Sequence, residues 1–300
     1  MAAADRKGIV GVVGLGIMGG SIALNLKAAG WKVIGHDVDP ARCGELANAG
    51  IEIAANVEEI AARAPVFLTS LPHPDALQAT AETVAASRGP KRIVVELSTF
   101  SLEDKGWARQ IFEEAGHVLL DCPISGTGAQ AKSRDLVVYA SGDTASIAAI
   151  KPMLLDFARE AHDLGSFGNG MKMKLVANLL VAIHNVASAE AFALGIKAGL
   201  DPQQILQLVK SGAGNSRVFE LRGPMMAEGR YDDATMKISV WQKDMAIIGD
   251  FARDLDCKTP LFDATAPIYE AAMAQGLGAQ DTAAVCVVLE EMAGIKRKRS

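Results

Sequence analysis

Six residues near the amino terminus form a glycine-spaced turn, Gly14-Leu15-Gly16-Ile17-Met18-Gly19. An apolar run at residues 9–13 precedes the turn, and a helical pattern follows it. In such a strand–turn–helix unit, the first glycine permits a tight turn, the second lets backbone approach a ligand, and the third lets helix and strand pack closely. The amino end of the helix then faces an anion, and this spacing favours the pyrophosphate of a dinucleotide. We therefore predict that a dinucleotide is bound by Gly14, Leu15, Gly16, Ile17, Met18 and Gly19.

A carboxylate ends the second apolar run, residues 32–37, at about the 20-residue offset expected from the turn. Asp37 at this position can accept hydrogen bonds from the adenosine ribose and would repel a 2′-phosphate. Val38 follows it, where an NADP-preferring protein would often carry Arg. The pattern favours NAD as the cofactor, while Arg42, one helical turn further on, leaves NADP open as the alternative.

Several elements must position these residues. In the first half, short apolar runs at residues 66–69, 93–97 and 118–121 alternate with helical patterns, as in a parallel sheet covered on both faces. After about residue 165, helical periodicity dominates, most clearly at residues 171–198, 240–255 and 265–275. The predicted fold class is α/β, with a Rossmann-type dinucleotide-binding domain at residues 1–167 and an all-α carboxyl-terminal domain at residues 168–300.

Two terminal segments need separate interpretation. The uncharged stretch at residues 8–26 superficially resembles a signal peptide or a membrane span, but it contains six glycines. Each would destabilise a continuous helix by about 1 kcal/mol, so a strand, a turn and a helix describe the stretch better. The basic tail at residues 296–299 is expected to be a solvated, frayed end.

Composition narrows the partners. Thirty basic residues against 35 acidic ones give a net charge of −5, and aromatic residues make up only 5% of the chain. Such a chain lacks the basic surface and the stacking platforms that nucleic acids or anionic membranes require. The four cysteines form no CxxC pair and the five histidines are dispersed, so we expect no metal site and a reducing, cytoplasmic location. The expected partner is a small molecule, with no nucleic acid and no membrane.

Three further segments resemble the motifs of one enzyme family. Asp121-Cys122-Pro123-Ile124-Ser125-Gly126 resembles the D-A-P-V-S-G substrate motif of the β-hydroxyacid dehydrogenases. Residues 168–178 resemble their G-x-G-x-x-x-K-x-x-N-N catalytic motif, and Lys243-Asp244 resembles the KD pair of a later helix. These segments and Met18 occur in family order and at family spacing over nearly the whole chain, so the chain is identified as resembling this family, which includes 3-hydroxyisobutyrate dehydrogenase and tartronate semialdehyde reductase.

The resemblance implies an NAD(P)-dependent oxidoreductase that transfers a hydride between nicotinamide and a small β-hydroxy acid or four-carbon sugar acid. Lys174 would be the general acid/base, a role that needs a pKa lowered by desolvation or by neighbouring cations. Lys172 faces another side of the helix. The spacing to the glycines at 168 and 170 and to Asn178 selects Lys174. The substrate-binding residues implied are Ser125, Gly126, Thr127 and Asn178. The further cofactor-binding residues implied are Leu71, Pro72, Ser98 and Lys243.

Some positions depart from the family pattern. Thr127 stands where many relatives have a second glycine, and Ala177 replaces the first asparagine of the catalytic motif. Both lie near the expected substrate, so the particular hydroxy acid is left open. Residues 212–216, followed by Phe219-Glu220, look more like the A-G-N-S…F-E of the L-threonate dehydrogenase branch. Asn215 and Ser216 there either contact a polyhydroxylated substrate or cap a helix.

Three alternatives share a dinucleotide-binding fold. An imine reductase and a non-catalytic dinucleotide-binding protein both lack the catalytic lysine, so Lys174 counts against them. A flavoprotein would need further FAD-binding segments, which the sequence does not display. The family resemblance also suggests a homodimer or homotetramer assembled through the helical domain.

Overall fold

The computed structural model describes residues 7–87 and 89–297. The chain divides between Lys174 and Leu175 into two compact units. The domain boundary between residues 167 and 168 that the sequence suggests stays a prediction.

A six-stranded parallel sheet forms the centre of the first unit. Its strands are β1 (Lys7–Val13), β2 (Trp31–His36), β3 (Glu52–Ile53), β4 (Val66–Thr69), β5 (Ile93–Glu96) and β6 (Val118–Asp121). Their order is β3-β2-β1-β4-β5-β6, and every neighbouring pair is parallel. The order reverses between β1 and β4, and ligands bind such sheets beyond the carboxyl ends of the strands at this switch point.

Helices connect the strands and cover both faces of the sheet. They are α1 (Ile17–Ala28), α2 (Pro40–Asn48), α3 (Val57–Arg63), α4 (Pro74–Ala86) and α5 (Leu102–Glu114). Successive strand residues alternate between faces, so Val12 and Leu68 join one buried cluster while Val13 and Phe67 join another. Burial on both faces explains why these strands have nearly continuous apolar sequences.

A small three-stranded sheet completes the first unit. Along the chain it is built from β7 (Ile124–Ser125), α6 (Gly128–Lys132), β8 (Val137–Ala140), α7 (Thr144–Leu155) and β9 (Glu160–Asp163). The order is β7-β8-β9, with β7 antiparallel and β9 parallel to β8. This sheet was not predicted: β7 has only two residues, β9 is mostly polar, and the apolar run of β8 was overlooked.

Among the described residues of the second unit, every regular element is a helix, apart from an isolated bridge between Lys237 and Asp281. The long helix α8 (Asn169–Lys197) begins in the first unit and continues into the second. The elements that follow are α9 (Pro202–Lys210), α10 (Arg217–Glu228), α11 (Ile238–Asp254), α12 (Pro260–Asp263), α13 (Ala266–Ala274) and α14 (Val285–Met292). The predicted fold class, an α/β domain followed by helices, is confirmed.

Two segments that resemble membrane spans differ in outcome. Residues 8–26 form β1, the glycine turn and most of α1, as predicted. Helix α8 has the length and the mean hydropathy of a membrane span, 1.6 over its most apolar window, of which 39% is buried within the protein. The core helix of a globular protein meets the same criteria, so this is weak evidence for a membrane.

The predicted frayed end is wrong for Arg297. Its guanidinium donates to the carbonyl oxygens of Met226 at 2.6 Å and Ala227 at 3.0 Å, and it pairs with buried Glu290 at 3.1 Å. The last carbonyls of a helix have no partner within the helix, and here an arginine from the tail supplies one for α10. Lys298 and Arg299, the rest of the basic run, lie outside the described residues.

Candidate active site

The glycine turn connects β1 to α1, and each glycine has a distinct environment. Gly14 has a φ of +89°, and a Cβ there would overlap the carbonyl oxygen of Ser70. A Cβ at Gly19 would overlap the carbonyl oxygen of Gly14, so the start of the helix can pack against the turn only because Gly19 has no side chain. A Cβ at Gly16, by contrast, would have nothing within 4 Å. This open position suits a pyrophosphate that must approach the backbone closely.

The amino end of α1 provides hydrogen-bond donors. Its N-cap residue is Gly16, which has no side chain to accept a hydrogen bond. The helices α2, α3 and α5, by contrast, are capped by the side chains of Asp39, Asn56 and Ser101. The first N–H groups of a helix have no acceptor within the helix, and the helix dipole favours an anion beside them. The residues present therefore fit the pyrophosphate of a dinucleotide.

Asp37 lies directly after β2 and is bonded to the glycine turn. Its carboxylate accepts hydrogen bonds from the N–H of Leu15 at 2.6 Å and from the N–H of Asp39 at 2.8 Å. Val38 is 92% exposed. Arg42, the residue that leaves NADP open, forms an exposed ion pair with Glu45 at 3.0 Å.

Residues after β4 and β5 lie close to the glycine turn. Leu71 is near Gly14, with its Cδ2 3.5 Å from the position of a Cβ there. The N–H of Leu71 donates to Ser98 Oγ at 2.8 Å, and Pro72 is exposed next to Leu71. The structure therefore brings Leu71 and Ser98 together beside the turn, at the carboxyl end of the sheet.

The segment predicted to bind the substrate, residues 125–127, leads from the end of β7 to the start of α6. Gly126 has a φ of +137°, a conformation that favours glycine. The N–H of Thr127 donates to Gln130 Oε1 at 3.0 Å, and the two residues form a capping box at the start of α6. Ile17 of the glycine turn packs so closely on Gly128 that a Cβ there would overlap it. The segment containing Ser125 thus lies next to the dinucleotide turn.

Two neighbouring lysines on α8 have opposite environments. Lys172 is exposed, with its Nζ 3.4 Å from Asn169 Oδ1, whereas Lys174 is buried and only 9% exposed. The first turn of α8 packs closely on the backbone of β8, since a Cβ at Gly170 would overlap the carbonyl oxygen of Tyr139. Positions two apart face different sides of a helix, which accounts for the difference between the two lysines.

Within the second unit, the structure joins Asn178 to the KD pair. Asn178 is buried, and its Nδ2 donates to Asp244 Oδ2 at 3.0 Å. Lys243 Nζ lies 3.8 Å from Asp244 Oδ1. Asn178 therefore has a protein partner on α11, and this contact orients its amide.

The residues that resemble the L-threonate branch act at the start of a helix. Ser216 caps α10, because its Oγ accepts the N–H of Phe219 at 3.0 Å. Asn215 Nδ2 donates to Glu220 Oε1 at 2.9 Å, and this bond, followed by Arg217, lowers the pKa of Glu220. Of the two interpretations left open, helix capping holds for Ser216.

A buried charged group, to which the sequence patterns give no role, lies at the carboxyl ends of β5 and β6. Lys105 Nζ lies 2.6 Å from Glu96 Oε2 and 2.7 Å from Asp121 Oδ1, and all three side chains are fully buried. Burial by itself lowers the pKa of Lys105, but the carboxylates of Asp121 and Glu96 outweigh burial and raise it. One signal was present, because Glu96 interrupts an otherwise apolar strand.

Comparison with known proteins identifies the family. A family profile described as the NAD binding domain of 6-phosphogluconate dehydrogenase matches residues 9–168. Another, described as NAD-binding of NADP-dependent 3-hydroxyisobutyrate dehydrogenase, matches residues 168–289. An L-threonate dehydrogenase from Cupriavidus necator is 31% identical over 283 residues, which span 92% of this chain and 94% of that protein.

Solved structures agree with these matches. A 3-hydroxyisobutyrate dehydrogenase from Salmonella typhimurium has a TM-score of 0.85 at 28% identity, covering 94% of this chain and 100% of that one. An imine reductase from Pseudomonas sp. has a TM-score of 0.64 at 19% identity, covering 93% and 98%, and it shares the fold alone. The predicted NAD(P)-binding domain and the predicted hydroxyacid dehydrogenase are confirmed, ahead of the imine reductase alternative. The chain belongs to the β-hydroxyacid dehydrogenase family.

Proposed function

We propose that the protein transfers a hydride between NAD and a small β-hydroxy acid or four-carbon sugar acid, with Lys174 as the general acid/base. The observation that carries this proposal is the burial of Lys174 beside exposed Lys172. An ordinary surface lysine would be as exposed as Lys172, whereas a lysine that acts as general acid/base near neutral pH needs desolvation or neighbouring cations.

The proposed chemistry balances one proton and one hydride. In oxidation, neutral Lys174 Nζ accepts the proton of the substrate hydroxyl. The hydrogen on the carbon that bears this hydroxyl leaves as a hydride. The nicotinamide, when bound, supplies the hydride acceptor at C4. In reduction, the ammonium of Lys174 returns a proton to the carbonyl oxygen.

Four residues are assigned to substrate binding. Ser125 and the N–H of Gly126 supply donors of the kind that a carboxylate accepts. Thr127, which caps α6 next to these donors, is assigned to the substrate as well. Asn178, oriented by Asp244, is assigned to the substrate hydroxyl. The similarity to an L-threonate dehydrogenase supports a four-carbon sugar acid as one candidate.

NAD rather than NADP is proposed because of Asp37. Its carboxylate is held next to the turn by Leu15, where it would repel a 2′-phosphate, and Arg42 is paired with Glu45. Leu71, Pro72, Ser98 and Lys243 are assigned to the nicotinamide and its ribose. A homodimer or homotetramer in the cytoplasm, without nucleic-acid or membrane partners, completes the proposal.

The test is a cofactor-reduction assay with a matched pair of variants. The protein is mixed with NAD⁺ or NADP⁺ and with 3-hydroxyisobutyrate, D-glycerate or L-threonate, and the absorbance of the reduced cofactor is followed. Lys174→Ala is expected to lower kcat on a responding substrate by at least about 100-fold, as loss of a general acid/base does. Lys172→Ala, the control, is expected to retain wild-type kcat. Full activity of Lys174→Ala would show that the assignment is wrong.

A further inference from the structure

A continuous series of polar contacts crosses the first unit. At one end, the N–H of Leu71 donates to Ser98 Oγ and the N–H of Ser98 donates to Glu96 Oε1, both at 2.8 Å. In the middle, Lys105 pairs with Glu96 and with Asp121. At the other end, Asp121 Oδ2 accepts the N–H of Met171 at 2.7 Å. We call these residues the Lys105 network: Leu71, Ser98, Glu96, Lys105, Asp121 and Met171.

A second contact strengthens the link to α8. Ser141 Oγ lies 3.1 Å from Asp121 Oδ2 and accepts the N–H of Gly170 at 2.9 Å. Asp121 therefore holds the first turn of α8 both directly and through Ser141. Met171 lies three residues before Lys174, so the position of Lys174 depends on this anchor.

The charges of the Lys105 network are matched to its surroundings. Two carboxylates and one ammonium leave one negative charge, which faces the amino end of α8, where the helix dipole favours an anion. The thiol of Cys122 adds no charge, because burial and then Asp121 raise its pKa. Removing charges from water costs several kcal/mol for each ion, and apolar side chains of similar size are often as stabilising. Stability alone therefore does not account for the network.

We propose that Lys105 is a positioning residue. It fixes the hydrogen-bonded pair of Leu71 and Ser98 relative to the first turn of α8, the helix that bears Lys174. The inference rests on the proposed function, which assigns the nicotinamide side to Leu71 and Ser98 and the proton transfer to Lys174. Lys105 acts through Glu96 and Asp121. Without its ammonium, the carboxylates of Glu96 and Asp121 would lie in the protein interior without the cation that now holds them together.

The first experiment uses Lys105→Met, which keeps an unbranched stem but no charge. We expect kcat to fall by at least about 10-fold, with a smaller change in KM for NAD, because misplacement of reacting groups acts on the chemical step.

Hydrogen exchange followed by mass spectrometry, without any ligand, gives a readout independent of turnover. In Lys105→Met, exchange is expected to become faster around residues 71 and 98 and across residues 169–174. Glu96→Gln retains the pair of Lys105 with Asp121 and the bonds to α8. It is therefore expected to accelerate exchange around residues 71 and 98 but not across residues 169–174.

Arg92→Met is the matched control. Arg92 is also a buried cation of the first unit, but it precedes the amino end of β5 and donates to the carbonyl oxygens of Ala61 and Pro90. Its loss is expected to lower the melting temperature while leaving kcat and exchange across residues 169–174 as in the wild type.

Each outcome decides the proposal. A folded Lys105→Met with wild-type kcat, or with the exchange pattern of Arg92→Met, overturns it. If Lys105→Met does not fold, Glu96→Gln decides, since unchanged exchange around residues 71 and 98 contradicts the proposal and faster exchange supports it. If the wild type oxidises none of the hydroxy acids, the proposed function fails, whereas the exchange experiment still tests the Lys105 network.

Discussion

At the scale of single residues, Asp37 combines two roles. Its carboxylate accepts the N–H of Leu15, which holds the glycine turn against the end of β2. The same negative charge is expected to repel the 2′-phosphate of NADP. A substitution that removes the charge but keeps an acceptor oxygen separates the two roles.

Asp37→Asn provides that separation. The ratio of kcat/KM with NAD to kcat/KM with NADP is expected to fall by about 10-fold, roughly 1.4 kcal/mol, because charge repulsion is lost. The melting temperature should fall only slightly, since the amide oxygen can still accept the N–H of Leu15, although the amide nitrogen cannot accept the N–H of Asp39. Arg42→Ala is the control and should leave the ratio unchanged, because Arg42 is paired with Glu45. A wild type that prefers NADP would refute the argument from Asp37.

At the scale of elements, the glycine turn between β1 and α1 contains two kinds of requirement. Gly19 is required by packing, because a Cβ would overlap the carbonyl oxygen of Gly14. Gly16 has an ordinary φ of −61° and open space around it, so the protein itself does not require a glycine there. The requirement at Gly16 belongs to the ligand.

Paired alanine substitutions in this turn should therefore have opposite effects. Gly16→Ala is expected to weaken NAD binding measured by calorimetry while changing the free energy of unfolding by no more than about 1 kcal/mol. Gly19→Ala is expected to lower the free energy of unfolding by about 1–3 kcal/mol, as overpacking does. Equal losses of stability in the two variants would argue against different requirements.

Elements of the fold could be predicted from the sequence where their pattern is local. The apolar strands, the glycine turn and α8 are defined by residues close together in the chain, and all were predicted. The short strands β3, β7 and β9 were missed because they have too few apolar residues for a pattern, and β8, although apolar, was missed as well. The bond of Asn178 to Asp244 spans 66 residues of sequence, and the Lys105 network depends on register between neighbouring strands. Such contacts follow from the folded arrangement and have no local signature.

At the scale of the whole molecule, His117 contributes to the dependence of stability on pH. Burial, followed by the charge of Arg92, lowers the pKa of His117, and its Nδ1 lies 3.2 Å from the N–H of Arg92. In the unfolded chain the pKa returns to about 6.5. The stabilisation that follows from the neutral ring is therefore complete above about pH 6.5 and is lost as the pH falls towards the lowered pKa.

Urea unfolding at several pH values tests this contribution. His117→Asn, which places an acceptor oxygen near the position of Nδ1, should make the free energy of unfolding less dependent on pH below about 6.5. His162 is exposed, and His162→Asn should retain the wild-type dependence. A slope unchanged in His117→Asn would assign the acid sensitivity to other groups.

The uncapped start of α1 has a consequence for the lifetime of the protein in a cell. A dinucleotide that satisfies these N–H groups binds only the folded chain, so it shifts the folding equilibrium by mass action. At a free concentration 100 times its Kd, it adds about 2.7 kcal/mol to the free energy of unfolding. When the dinucleotide is scarce, a larger fraction of molecules is unfolded and open to proteases. We therefore expect the abundance of the enzyme to follow the supply of its own cofactor.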